Sequence, residues 1–291
     1  MPPLSIVDPH IHLFNLSQGE YQWLSPNTSP LWPDKSIISH DFCQQDLLLA
    51  EPLSLSGFVH IEAGFDNARP WREIQWLEQH CFLPFRSVAG IDLTLSTALF
   101  RKHLERLTSY SSVVGIRHVL GNLSEQLCSH PKVISNLRVV NQYALIVELQ
   151  LALGDMTNID RLIELISTNT EIDFIIEHGG LPPLEQYSTQ WQCWQTNLAS
   201  LAQCRNVAIK CSGWEMLNRS YQDDWIKHII SYCIHLFSST RVMLASNFPL
   251  LLFSMQYQDY WQRIISQVDI NDQQALLHDN ANRWYKVANR E

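Results

Sequence analysis

The segment Asp8-Pro9-His10-Ile11-His12 sets two imidazoles two residues apart. Side chains alternate along an extended strand, so His10 and His12 face one space and Ile11 the other. Neutral imidazole is a common metal ligand, so the pair could share a divalent cation; two hydrogen-bonded histidines at a strand end are the plainer alternative. Further polar residues close short apolar runs elsewhere: His60 and Glu62, Arg117 and His118, Glu148 and Gln150, His178, Lys210, and Asn247. A purely structural protein has little reason to gather titratable groups at one end of its strands. For each a plain role stays open. His60, Glu62 and Glu148 could satisfy one another, and Lys210 could pair with one of those carboxylates inside the protein. His40, His80, His103, His130, His228, His235 and His278 fall on expected helices or loops and read as surface residues.

The elements that must position these side chains are eight short apolar runs: Leu4–Val7, Gly57–Ile61, Ser87–Ile91, Val113–Ile116, Ala144–Leu149, Ile172–Ile176, Val207–Ile209 and Arg241–Ala245. From Ile61 onward they recur every 25 to 36 residues, the length of one strand-helix-strand unit. Between them lie amphipathic stretches, Trp71–His80, Ser96–Thr108, Pro131–Tyr143 and Asn158–Ser167, with apolar residues at helical spacing. Continuous apolar strands alternating with helices predict a parallel sheet buried on both faces. Eight repeats favour an α/β fold closed into a (β/α)8 barrel of the TIM type, with an open doubly wound sheet as the competitor. No G-x-G-x-x-G follows the first strand, which disfavours dinucleotide binding. Gly64, Gly179, Gly180 and Gly213 fall just past strand ends, where the chain must turn tightly. The first connection is about twice as long as the others and carries Pro26, Pro30 and Pro33, so it reads as a long loop over the barrel mouth. Asp279–Val287 is a candidate terminal helix closing one end, and the absence of any linker predicts a single domain over 1–291.

Composition limits the partners. Of 291 residues 46% are hydrophobic and 17% charged, enough for a sizeable core. The net charge of −9 is the wrong sign for coating a phosphate backbone, so nucleic acid is not expected. No apolar stretch approaches the roughly 18 residues that a membrane span requires, and no basic residue precedes the first apolar ones, so neither a span nor a secretory signal is expected. Seven scattered cysteines without a C-x-x-C suit a reducing cytoplasm. A small-molecule substrate is the expected partner, and the oligomeric state stays open.

The motifs Asp8-Pro9-His10-Ile11-His12-Leu13-Phe14, Tyr21-Gln22-Trp23-Leu24, Gly115-Ile116-Arg117-His118, Ile176-Glu177-His178-Gly179-Gly180-Leu181-Pro182, Ile209-Lys210-Cys211-Ser212-Gly213, Ala245-Ser246-Asn247-Phe248-Pro249 and Asn280-Ala281-Asn282-Arg283-Trp284-Tyr285 follow one another in a telling order. Jointly they resemble the amidohydrolase superfamily, in the amidohydrolase-related branch that includes sugar-lactone and 2-pyrone-4,6-dicarboxylate lactonases. The resemblance runs from about Val7 to Tyr285. It implies a distorted barrel that hydrolyses a lactone, ester or amide at its C-terminal mouth. It implies His10, His12 and His178 as ligands of a divalent metal, commonly zinc.

In such relatives an Asp on the eighth strand binds metal or activates water, and here that position is Asn247. A carboxamide is no base at ordinary pH and a weaker ligand than a carboxylate, so the metal is expected bound in part or absent. On the second strand, where lactonase relatives tend to have Gln, His60 could take over as base. Arg117 could bind a substrate carboxylate or steady an oxyanion, as in relatives that work without metal; an ion pair with Glu148 is its plain alternative. Tyr21 and Trp23 would either stack on a sugar ring or pack beneath the loop, and His118 and Lys210 complete the expected substrate contacts. The leading expectation is a lactone hydrolase. The alternatives are a decarboxylase of a neighbouring branch and a paralogue that binds a sugar acid or lactone without turnover.

Overall fold

The computed structural model describes residues 4–119 and 124–288. Eight strands, β1 (Leu4–Ile11), β2 (Leu53–Ile61), β3 (Phe85–Gly90), β4 (Val113–Val119), β5 (Ile146–Gln150), β6 (Phe174–Ile176), β7 (Val207–Cys211) and β8 (Val242–Leu244), pair in chain order, all parallel. The first and last strands meet just past β8. Asn247 N donates to His10 O at 3.0 Å and His12 N to Phe248 O at 2.7 Å. Ser246 grips the buried Asp8 carboxylate through its N–H and hydroxyl. An open sheet would leave β1 and β8 on opposite edges, so this seam establishes the (β/α)8 barrel.

The helices Trp71–His80, Thr97–Leu107, Pro131–Asn141 and Asp160–Ser167 fall where the apolar periodicity predicts them. They are joined by Thr189–Ala202, Asp223–Phe237 and Tyr257–Ile265. Along each strand one parity packs outward against the helices and the other fills the interior. The interior cluster takes Val7, Val59, Ile61, Val88, Ile146, Ile175, Ala208 and Met243. That parity decides which polar residues enter the barrel: Glu148 follows Ile146, Glu177 follows Ile175 and Lys210 follows Ala208, each two residues on.

The terminal helix Asn280–Tyr285 plugs the end of the barrel where the strands begin. Asn280 Nδ2 donates to Val242 O at the start of β8, and Tyr285 sends its hydroxyl inward to Glu148 Oε1 at 2.6 Å.

The long first connection lies over the other end. It has an order of its own: Lys35, buried, donates to the carbonyls of Trp23, Ser25 and Thr28 at 2.8, 3.0 and 2.7 Å. None of the seven cysteines is in a disulfide. Among the described residues no helix is long and apolar enough to cross a membrane.

Candidate active site

A cavity of about 540 Å³ opens at the C-terminal mouth, walled by Trp23 and Trp32 of the long loop and floored by His12, Glu62, Arg117, His178 and Asn247. The floor side chains come from the ends of β1, β2, β4, β6 and β8, as a parallel barrel requires.

His10 and His178 lie against each other, ring centroids 4.6 Å apart, and His12 stands 5.0 Å from His10. Each ring is oriented through Nδ1. His12 donates to Ile61 O at 2.9 Å and His178 meets Ser212 Oγ at 2.9 Å. His178 adopts φ +54°, which turns its ring into the barrel beside Glu177 although neighbours on a strand point apart. Gly213 makes room for it: a Cβ there would lie 2.5 Å from His178 Nδ1. Burial depresses His10 strongly and carries His12 and His178 down to about 3, so all three imidazoles are neutral at physiological pH.

Among the described residues His10, Glu177 and His178 form a group of candidate ligands, their donor atoms within 4.8 Å of one another, and the His12 ring lies beside His10. His10 Nε2 is a buried atom with no hydrogen-bond partner among the described residues. These donor types and this spacing fit a divalent cation. One neighbour acts against it. Lys210 Nζ sits 2.6 Å from Glu148 Oε2, 2.9 Å from Pro9 O and 3.2 Å from His10 Nδ1. An ammonium has three hydrogens and no lone pair, so it donates to Nδ1 and puts the His10 proton on Nε2, where a metal would need the lone pair.

Arg117 is held through both terminal nitrogens, while its buried Nε has no hydrogen-bond partner among the described residues. It donates to Glu62 Oε1 at 3.0 Å, to Glu177 Oε2 at 2.9 Å and to Gln150. Burial lifts Glu62 to about 7 despite Arg117, whereas for Glu177 burial, the largest single effect, is outweighed by Arg117 acting together with Lys210 and its other polar neighbours, which hold it ionised. For Glu148 burial prevails over Lys210 and raises it. The ion pair weighed for Arg117 is therefore with Glu62 and Glu177, and Glu148 pairs with Lys210.

Several expected site residues are placed away from the cavity. His60 is wholly buried; its Nδ1 accepts from Leu13 N at 3.2 Å and its Nε2 meets Glu73 Oε1 at 3.1 Å. With both ring nitrogens bonded it has no lone pair for a water, which corrects the expectation of a base at that position. Tyr21 packs beneath the loop against Phe14 and Phe65, its hydroxyl accepting from Asn15 N at 2.9 Å, so it does not stack on a ligand. Lys210 lies behind His10, wholly buried, and touches no cavity space. Trp23 and His118 do line the cavity; Trp23 is fixed by Nε1 donating to Ala63 O at 2.7 Å, and His118 Nδ1 accepts from Leu93 N at 3.1 Å.

Two residues escaped the sequence reading. Glu177 was legible from the parity of Ile175. Glu215, in the helical turn Trp214–Leu217 after β7, had no signal in the chain; it sits wholly buried with Oε1 2.5 Å from Asn247 Nδ2.

The fold and its mouth define a (β/α)8 barrel with a metal-binding type of donor set at the ends of its strands. The family model of amidohydrolases matches residues 7–287, and the chain belongs to that family. It is 28% identical over 307 residues to the uncharacterized protein y4mH of Sinorhizobium fredii, covering 99% of this chain and all of that one. Among solved structures it resembles a zinc-bound amidohydrolase of Burkholderia multivorans, with TM-score 0.78, 16% identity, and 97% and 99% of the two chains covered. It also resembles a protein of Acinetobacter baumannii described as a probable 2-pyrone-4,6-dicarboxylic acid hydrolase, crystallised with citric acid, with TM-score 0.70, 18% identity, and 97% and 99% covered.

Proposed function

We propose that the barrel mouth hydrolyses a lactone, the cyclic ester of a small polar or sugar acid. The observation that carries this reading is the meeting of Glu62, His12, His178, Arg117 and Asn247 on one cavity floor in a chain of the amidohydrolase family. The Burkholderia amidohydrolase and the probable 2-pyrone-4,6-dicarboxylic acid hydrolase of Acinetobacter agree with it in kind.

Ester hydrolysis needs a base for the attacking water, a donor for the carbonyl oxygen and a proton for the departing alkoxide. Glu62 suits the first and third tasks: it faces the cavity, Arg117 fixes one oxygen, and burial brings its carboxyl to about 7. It takes the water proton as the C–O bond forms and returns it to the ring oxygen as the ester C–O bond breaks. His118, whose Nδ1 is an acceptor, carries its hydrogen on Nε2 and offers it to the carbonyl oxygen. Asn247 contributes a hydrogen-bonding amide, and Trp23 a flat apolar wall. His10, His178 and Glu177 would hold a divalent cation, which when bound supplies Lewis-acid polarisation of the ester carbonyl.

A panel of five- and six-membered aldonolactones, followed by acid release with and without added zinc, tests the proposal. Turnover of at least one is expected, with Glu62→Gln lowering kcat by about 10²–10⁴-fold at little change in KM. Failure to hydrolyse any lactone under either condition retires it.

A further inference from the structure

We infer that Glu215 is a positioning residue: it locks the Asn247 amide with Nδ2 turned back and Oδ1 turned into the cavity, so position 247 recognises a hydrogen-bond donor, a ligand hydroxyl or the attacking water. The catalytic meaning of this assignment rests on the proposed hydrolysis; the geometry does not.

Asn247 is 1% exposed and lines the cavity, yet its Oδ1 has no partner among the described residues. Its backbone is pinned, with N donating to His10 O at 3.0 Å and φ at +59°, a left-handed conformation that Asn tolerates. Glu215 lies on the side away from the cavity, wholly buried, Oε1 2.5 Å from Asn247 Nδ2 and Oε2 unpartnered. At pH 8 Glu215, raised by burial to about 7, is a carboxylate and only accepts hydrogen bonds, so the amide nitrogen must face it, which leaves the buried, unpartnered Oδ1 as the end of the amide free to meet a ligand on the cavity side. A bond from N–H to an anion also polarises the amide, making Oδ1 a stronger acceptor. The other polar groups around Glu215 are Arg219, whose guanidinium donates to the Glu215 backbone carbonyl, and the hydroxyls of Tyr221 and Tyr260.

The arrangement reverses an order of groups. A carboxylate stands in the second rank with an amide in front, where relatives with an eighth-strand Asp carry the carboxylate in front. Exchanging the pair is therefore the decisive experiment. Asn247→Asp alone sets two carboxylates against each other; Asn247→Asp combined with Glu215→Gln restores one donor and one acceptor with their order inverted.

At pH 8, Asn247→Asp is expected to lower Tm by roughly 5–10 °C, and the added Glu215→Gln to recover most of that loss. In wild-type protein carrying ¹⁵N-asparagine, one Asn247 Nδ2 proton is expected downfield of the free amides, moving upfield in Glu215→Gln. On a lactone that the wild type turns over, Glu215→Gln is expected to cut kcat about tenfold or more with KM held within about twofold, the signature of a group acting through the transition state. Equal Tm values for wild type and Asn247→Asp at pH 8, or an Asn247 amide proton at the free position, overturn the assignment. A wild type that hydrolyses no lactone removes the proposed reaction, while the thermal and spectroscopic results still decide the orientation of Asn247.

Discussion

At the scale of single residues the site is governed by which nitrogen carries a proton. Lys210 forces the His10 proton onto Nε2, opposing the lone pair that a cation would need. Zinc is therefore expected to bind weakly, in less than stoichiometric amount after purification. Lys210→Met removes the ammonium, lets Nδ1 hold the proton and frees Nε2. Its zinc affinity, measured by competition with a fluorescent chelator, is expected to rise about tenfold. Stability is expected to fall by roughly 3–5 kcal/mol, because Glu148 loses its partner. An unchanged zinc affinity would mean that Lys210 does not dictate the tautomer. The two His residues of the H-x-H pair were legible as a pair because strand alternation alone brings them together. His60 was misread for a local reason: whether a ring nitrogen is spent on a distant backbone N–H, here Leu13, is not written in the residues beside it.

At the scale of elements, strands and helices were legible because each buries an apolar face whose period shows in the chain. The long first connection was legible only as proline-rich and irregular. Its internal order depends on one buried ammonium, Lys35, and on a clasp to the far side of the mouth. Arg219 grips both oxygens of Asp34 at 2.8 and 3.0 Å and lies 4.0 Å over Phe253 and 5.1 Å over Trp32. Such contacts join residues 185 positions apart, so no local pattern announces them. Arg219→Ala breaks a two-pronged ion pair and two cation–aromatic contacts together. A loss of roughly 1–3 kcal/mol is expected. Limited proteolysis should then nick the connection between β1 and β2 well before the rest of the chain; equal rates in wild type and variant would show that the clasp does not hold the loop. The same mechanism explains Glu215: it reaches Asn247 from another strand's loop, and its role exists only once the barrel closes.

At the scale of the molecule, burying so many titratable groups together sets the pH range over which the barrel is stable. Burial raises Asp8 from 3.8 to about 6, and Glu62, Glu73 and Glu215 from 4.5 to about 7, 8 and 7. Between its unfolded and folded values each of these holds a proton in the folded state that the unfolded chain has released. Their contribution is thus complete below the unfolded value and is lost as pH rises through about 6 to 8. Burial lowers His12, His60 and His178 from 6.5 to about 3, so there the unfolded chain binds the extra protons and stability is lost as pH falls from 6.5 toward 3. Between about 4.5 and 6.5 the two sets oppose each other and nearly cancel; above 6.5 the carboxyls act alone, and below 4.5 the imidazoles do. Calorimetry in metal-free buffer should give a Tm that is flat across that interval and falls on both sides. Glu73→Gln takes one carboxyl out of the alkaline limb, so its Tm relative to wild type should improve steadily from pH 6 to about pH 8 and level off above. A wild-type Tm still climbing at pH 8 would mean that these carboxyls titrate in the folded barrel near their unfolded values, against the burial of Glu73 and Glu215.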